Sequence, residues 1–310
     1  MPKILVIRGG ALGDFILSLP VISALRDSVP EAGIEILGYP RIASLAQCGG
    51  CVQSIRSVDS GGLARFFGAN SDLSEELCSY FAGFNQIVSF FYDPDDIFHG
   101  NLRKAGARHI LRLPHRPDEN EPIHATAQFA RGLEKIGIFP NDFTPRVQPG
   151  TEDRAQAEDL LKGHNRPLIA LHPGSGSRSK NWPPECWGKL LGWLLGESDA
   201  SIGVVLGEAD VEVENFLSPL LSNPRVVILR HLSLPVLAAA LVQATVFIGH
   251  DSGVSHLAAA VGTPVISLFG PTNPVIWGPV GAEIIRKGSS MNDILVEDVQ
   301  FALAKHNLIR

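Results

Sequence analysis

The chain has 310 residues, 45% of them hydrophobic and 19% charged, a balance that excludes disordered and fibrous classes and leaves room for two domains of ordinary size. Its formal net charge of −6 argues against a nucleic-acid partner, because neutralising a run of phosphates needs a basic surface. No apolar run is long enough to span a bilayer, and no cleavage pattern follows the N-terminal strand, so the expectation is a cytoplasmic protein with at most peripheral membrane contact.

In chain order, "KILVIR" (Lys3 to Arg8) reads as a buried strand leading into a helix around Asp14 to Asp27. "GIEILGY" and "QIVSFF" are the next two strands, and "CGGC" (Cys48 to Cys51) between them lacks the second pair of a zinc site and reads as a loop. After a proline-rich interruption from Gly137 to Asp153, the strands "PLIALHP", "SIGVVLG", "RVVILR", "VFIGH" and "PVISLFG" repeat the cycle with helices between them. Continuous apolar strands alternating with helices imply parallel sheets covered on both faces. The fold class is therefore α/β, with two doubly wound domains over 1–150 and 151–310 and a ligand site expected in the cleft between them. The stretch from Asn292 reads as a last helix that packs back across the linker, on the first domain.

Three strand-to-helix turns carry the chemistry. In "HDSGVSHLAAAVG" an acid, a hydroxyl and a glycine (Asp251, Ser252, Gly253) precede a helix, and His256 lies one turn in. Unpaired N–H groups and a partial positive charge at such a helix start suit a phosphate; a plain N-cap with a satisfied core histidine is the structural alternative. "LHPGSGSRSKNWP" supplies Ser175, Gly176 and Ser177 as flexible donors and Lys180 as a cation for a departing diphosphate, without the ending of a Walker loop. "RGGALGDF" places Gly13 and Asp14 at a helix start but lacks the glycine spacing of a dinucleotide fingerprint. Asp14 is a candidate base for an incoming hydroxyl, or simply a favourable helix charge.

Taken together, "RGGALGDFILSLP", "HPGSGSRSKNWP" and "DSGVSHLAAAVGTPVISLFGPTNPVIWGP" resemble glycosyltransferase family 9, the ADP-heptose:lipopolysaccharide heptosyltransferases, over nearly the whole chain. The resemblance implies a GT-B fold, with an N-terminal acceptor-binding domain and a C-terminal nucleotide-sugar-binding domain. It implies an inverting glycosyltransferase that needs no metal or cofactor and moves a sugar, ADP-heptose being the expected donor, onto a lipopolysaccharide-core or related glycan at the cytoplasmic face of the inner membrane. By the same resemblance Asp14 is the general base and Lys180 contacts the diphosphate. Asp251, Ser252, Gly253 and His256 hold the nucleotide and its sugar, and "LGEADVEVE" offers Glu208, Glu212 and Glu214 for the ribose, Glu212 being the favoured one. His124 in "PIHATAQFARGL" is a candidate acceptor contact, although Gln128 stands where the family sometimes carries a basic residue. The phosphate loop has serines where well-known members carry threonines.

A basic stretch from Arg103 to Arg116, including Arg108, is either a solvated face or a lining for an anionic acceptor. "YDPDD" (Tyr92 to Asp96) contains a metal-like acidic triad but is expected to be an exposed turn. The competing functions are a nucleotide-sugar epimerase or hydrolase of the same architecture, and a non-catalytic relative that binds nucleotide-sugar or glycan.

Overall fold

The computed structural model describes residues 1–48, 50–69, 71–164 and 167–305, so Gly49 of the "CGGC" loop and the last five residues of the C-terminal stretch lie outside the described residues. The chain divides into two compact units, Met1–Pro145 and Arg146–Arg310.

In the first unit, β1 (Lys3–Arg8) leads into α1 (Leu12–Ser28), and β2 (Gly33–Gly38) into α2 (Pro40–Cys48). The short β3 (Ser54–Ser57) is followed by α3 (Glu75–Ala82), then β4 (Gln86–Ser89), α4 (Ile97–Lys104), β5 (Ile110–Arg112) and α5 (Ala125–Arg131). The five strands are parallel in the order β3-β2-β1-β4-β5. Central β1 is buried from Ile4 onward because both its neighbours and both covering layers are apolar. One face packs Leu5, Ile7 and Ile87 against an aromatic group that includes Phe66, Phe81 and Phe98. The edge strands β3 and β5 run for only four and three residues and are partly exposed, which is why no apolar run announces them.

The second unit opens with α6 (Thr151–Leu160) and β6 (Leu168–His172), followed by α7 (Pro184–Glu197), β7 (Ser201–Leu206), α8 (Val211–Leu221) and β8 (Val226–Arg230). It continues through α9 (Leu234–Val242), β9 (Val246–His250), α10 (Gly253–Ala260), β10 (Val265–Leu268), α11 (Pro274–Trp277), β11 (Glu283–Ile285) and α12 (Val296–Lys305). Its parallel sheet has the order β11-β10-β9-β6-β7-β8. The last helix, α12, buries Val299, Ala302 and Leu303 in the same core as Trp182, Trp187 and Leu190, within its own unit. Trp182 reinforces this by donating its indole N–H to the Ile294 carbonyl at 2.9 Å.

In each sheet the strand order reverses direction once, between β1 and β4 and between β6 and β9. At such a point the connections leave to opposite faces, and the carboxyl ends of the two strands open a crevice where ligands bind.

Candidate functional site

At the first reversal, Gly9 and Gly10 follow β1 and lead into α1. The helix starts because Asp14, at its third position, turns its carboxylate back to accept the Ala11 N–H at 3.3 Å. Gly10 has φ +100°, and a Cβ there would stand 3.3 Å from Asp14 Oδ2, so only glycine takes the chain past that carboxylate without strain. Asp14 is half-buried, as is Gly13 before it. Beneath them Arg8 is buried and donates to two carbonyls, that of Asp14 at 2.7 Å and that of His115 at 2.9 Å. Its guanidinium lies over Phe90 and Phe129. Burial lowers Arg8 from the usual arginine value to about 10, and the Asp14 charge opposes that shift. Arg8 therefore clamps the first turn of α1 to the chain after β5.

Asp14 lines a cavity of about 500 Å³ within this unit. Aromatic residues form much of the wall, among them Tyr39, Phe67, Phe91, Tyr92 and Phe98, while Arg8, Asp59, His115 and Arg116 add charge and polarity. The His115 imidazole is held below its ordinary value by partial loss of solvent and by the cations Arg116 and Arg8.

The "YDPDD" turn is exposed as expected at Tyr92, Pro94, Asp95 and Asp96. Asp93 alone is buried, because its carboxylate caps the start of α4, accepting the N–H of Phe98 at 3.1 Å and of His99 at 2.9 Å. The buried His99 ring joins Asp93 to Ser89, with Nδ1 2.7 Å from Asp93 Oδ2 and Nε2 2.9 Å from Ser89 Oγ. Burial keeps His99 below its usual value, only partly opposed by Asp93. Ligating atoms of Asp93, Asp96 and His99 lie within 4.8 Å of one another. Each is already engaged, however, since Asp96 pairs with Arg103 at 2.7 Å and with Arg112 at 2.9 Å.

The predicted acceptor contacts are dispersed. Arg103 is held by Asp96, and Arg108 is exposed just before β5, at the amino end of the strands and away from Asp14. His124 caps α5, its Nδ1 lying 2.8 Å from Thr126 Oγ1. None of these three lines the 500 Å³ cavity, whereas Arg116, from the end of the basic stretch, does.

At the second reversal the structure brings together Lys180, Asp251, Ser252 and Gly253. Lys180 Nζ lies 2.6 Å from Asp251 Oδ2, and Thr272 donates its hydroxyl to the same oxygen at 2.8 Å. Asp251 is thus the anchor that aims the Lys180 ammonium. Ser252 has extended backbone and caps α10, accepting the Ser255 N–H at 3.4 Å, and the helix's first N–H groups follow at Gly253. His256 is buried one turn in. Ser175, half-buried, has its hydroxyl 2.5 Å from Asn181 Oδ1 and 2.8 Å from the Ser177 carbonyl. Gly176 is exposed, and Ser177 contacts Ser179. The loop is therefore pre-folded on its own hydroxyls.

Sequence reasoning missed the residue that ties these loops together. His250, fully buried, accepts the Trp182 N–H on Nε2 at 2.9 Å and faces the Gly174 carbonyl with Nδ1 at 3.2 Å. This arrangement calls for the neutral tautomer with the proton on Nδ1. Burial lowers His250 from 6.5 to about 3, the Gly174 bond opposing and His172 adding to the shift. A signal was present: a histidine among apolar strand residues, directly before Asp251. Gly174 itself has no space for a side chain, since a Cβ would stand 1.7 Å from Asp210 Oδ1.

Next to this loop a cavity of about 710 Å³ is lined by Pro173, Arg178, Trp182, Val211, Glu212 and Asn292, among others. Glu212 sits there, exposed and 3.8 Å from the exposed Arg178. Glu214, the neighbouring acid, is instead paired with Arg230.

Comparison with known proteins was consistent over the chain. Residues 118–294 match the family model of glycosyltransferase family 9 (heptosyltransferase). Lipooligosaccharide heptosyltransferase 2 of Haemophilus influenzae is 26% identical over 305 residues, covering 92% of this chain and 88% of the relative. The structure of Escherichia coli ADP-heptose lps heptosyltransferase II superposes with a TM-score of 0.77 at 19% identity, covering 98% of each chain. An E. coli heptosyltransferase solved with ADP-2-deoxy-2-fluoro heptose gives 0.70 at 17% identity, over 98% of this chain and 99% of that one. These likenesses establish the GT-B fold. Among the described residues no helix is long and apolar enough to cross a membrane.

Proposed function

The chain belongs to glycosyltransferase family 9 and is a glycosyltransferase; from that premise we propose that it moves heptose from ADP-heptose to a lipopolysaccharide-core glycan, with inversion and without a metal. The reading rests above all on where the residues lie. The only carboxylate of the "RGGALGD" turn and the Lys180–Asp251–Ser252 group each occupy the reversal point of their own sheet. The donor assignment draws on the relatives, one of which is named for ADP-heptose and another solved with its fluorinated analogue.

In this mechanism the donor diphosphate sits at the start of α10, against the N–H groups after Ser252, with Lys180 beside it. The nucleoside occupies the 710 Å³ cavity, which Glu212 lines, and the Glu212 carboxylate accepts a hydrogen bond from a ribose hydroxyl. The acceptor hydroxyl lies at Asp14, in the 500 Å³ cavity. Asp14 removes its proton as the oxygen attacks the anomeric carbon from the side opposite the diphosphate. The electron pair of the breaking C–O bond goes to the diphosphate, whose growing charge the helix dipole and Lys180 stabilise. One base on the acceptor side and one cationic cradle on the donor side are what a single displacement requires. The glycolipid acceptor implies work at the cytoplasmic face of a membrane.

Asp14→Asn tests the reading. Transfer should fall by about 10² to 10⁴, while the rise in melting temperature on adding ADP stays as in the wild type. Near wild-type transfer by this variant would remove Asp14 from the mechanism. Release of free heptose without any acceptor would favour a hydrolase. A thermal-shift comparison of ADP-, UDP-, GDP- and dTDP-sugars checks the donor.

A further inference from the structure

The wall of the cavity beside Asp14 is built differently from the basic surface that a highly charged acceptor would need. We propose that this cavity recognises the acceptor by stacking the apolar C–H face of a neutral sugar ring on Tyr92, with Phe91 and Tyr39 completing the platform. The inference rests on the transferase reading for its occupant, an acceptor glycan, and goes beyond it in naming the recognising residues and the force.

Three observations carry it. First, Tyr39, Phe67, Phe91 and Tyr92 all line the cavity and remain exposed, Tyr92 to 62%. Folding normally buries such surface, and a cluster of it beside a reactive carboxylate marks a binding face. Second, the platform is pre-ordered. Phe67, Phe91 and Phe98 pack with centroids 4.8 to 5.1 Å apart, and Tyr92 lies against His115 at 4.5 Å. The Ser89–His99–Asp93 chain underneath holds the segment that carries them: Ser89 Oγ accepts the Phe91 N–H at 3.3 Å, and Asp93 accepts the Phe98 N–H. That chain has the connectivity of a hydrolytic triad, but Ser89 is 1% and His99 0% exposed, so it positions the aromatic wall and meets no substrate. Third, the charges lining the cavity balance, with Arg8 and Arg116 matched by Asp14 and Asp59. Of the other basic residues nearby in sequence, Arg103 and Arg112 are held by Asp96. Arg108 lies at the amino end of the strands.

A stacked ring orients as well as binds. An aromatic plane accepts the face of a pyranose that presents axial C–H groups, and so selects which hydroxyl points at the neighbouring carboxylate. Tyr92 is in this sense a specificity residue, acting on binding and orientation.

The test uses saturation-transfer NMR and titration of the full chain with methyl α-mannopyranoside, methyl α-glucopyranoside and methyl α-mannopyranoside 6-phosphate. At least one neutral glycoside should bind, with saturation concentrated on one ring face, and the phosphate should bind no more tightly. Raising NaCl to about 0.5 M should leave that affinity within about twofold, because apolar stacking is not screened. Tyr92→Ala should weaken binding by about tenfold or more, and Tyr92→Phe should restore it. Unchanged circular dichroism and melting temperature in Tyr92→Ala separate this loss from unfolding. Tighter, salt-sensitive binding of the phosphate, binding indifferent to Tyr92, or no binding of either class overturns the proposal. Failure of the transferase reading looks different: Tyr92-dependent ring binding persists, yet no nucleotide-sugar supports transfer.

Discussion

The Lys180–Asp251 pair offers the most direct measurement of how the proposed donor side is built. Asp251 is 8% and Lys180 30% exposed at the side chain, with Nζ and Oδ2 2.6 Å apart. Removing Lys180 as methionine strands a buried carboxylate that, among the described residues, keeps the Thr272 hydroxyl as its side-chain partner. A charge-assisted bond of this kind contributes about 1.5 to 3 kcal/mol, and the part-exposed lysine places the expected coupling at about 1 to 3 kcal/mol. Lys180→Met, Asp251→Asn and the double variant, measured by urea and thermal unfolding, close a double-mutant cycle for that coupling. For a unit of this size each kcal/mol appears as a shift of about 2 to 4 °C. Saturating ADP should shrink the coupling, because the diphosphate then shares the ammonium. ADP affinity should drop about tenfold in Lys180→Met but survive in Asp251→Asn, where the cation remains. A coupling below about 0.5 kcal/mol, or equal losses of ADP affinity in both single variants, refutes the view that Asp251 aims Lys180 at the donor.

Gly174→Ala places a methyl 1.7 Å from Asp210 Oδ1. It should destabilise by about 1 to 3 kcal/mol through overpacking and weaken ADP by displacing the Ser175 loop, both read from ADP-dependent melting curves. Gly10→Ala forces a side chain into φ +100° against Asp14. A loss of about 1 kcal/mol or more is expected, together with reduced transfer at unchanged ADP affinity. Acid should destabilise the fold before the carboxylates titrate. His250 is lowered from 6.5 to about 3, chiefly by burial, so below pH 6.5 the unfolded chain takes up a proton that the folded chain refuses. Stability is then full above the unfolded value and lost as pH falls toward the folded one. Between pH 7 and 5 His250 alone removes about 2 kcal/mol, and His172 and His99, also lowered chiefly by burial, act in the same direction. Urea midpoints that stay flat from pH 7 to 5 would contradict the buried neutral histidine.

Much of this protein is legible in its sequence alone. The buried strands β1, β2, β4, β6, β7, β9 and β10 announce themselves as apolar runs, since a parallel strand covered on both faces admits little else; the edge strand β8 reads the same way from its valines and leucine, although Ile228 is exposed. The turns at Asp14, Lys180 and Asp251 were equally visible, because glycine, serine and acid directly after a strand is a local pattern. The short edge strands β3, β5 and β11 were not, as partial exposure erases the period that betrays a strand.

By itself the sequence determined the fold class, the family and the strand-to-helix turns that carry the candidate residues, all of which depend on residues close along the chain. Only the tertiary structure decided which charges are committed and which line a cavity. The Lys180–Asp251 bond joins residues 71 apart and the His250–Trp182 bond residues 68 apart. Burial of Asp93 in the "YDPDD" turn depends on the α4 amides folding back over it. The aromatic wall draws on segments from Tyr39 to His115. Pairing and burial at such separations are set by how the sheet orders its strands, and strand order leaves no mark on neighbouring residues.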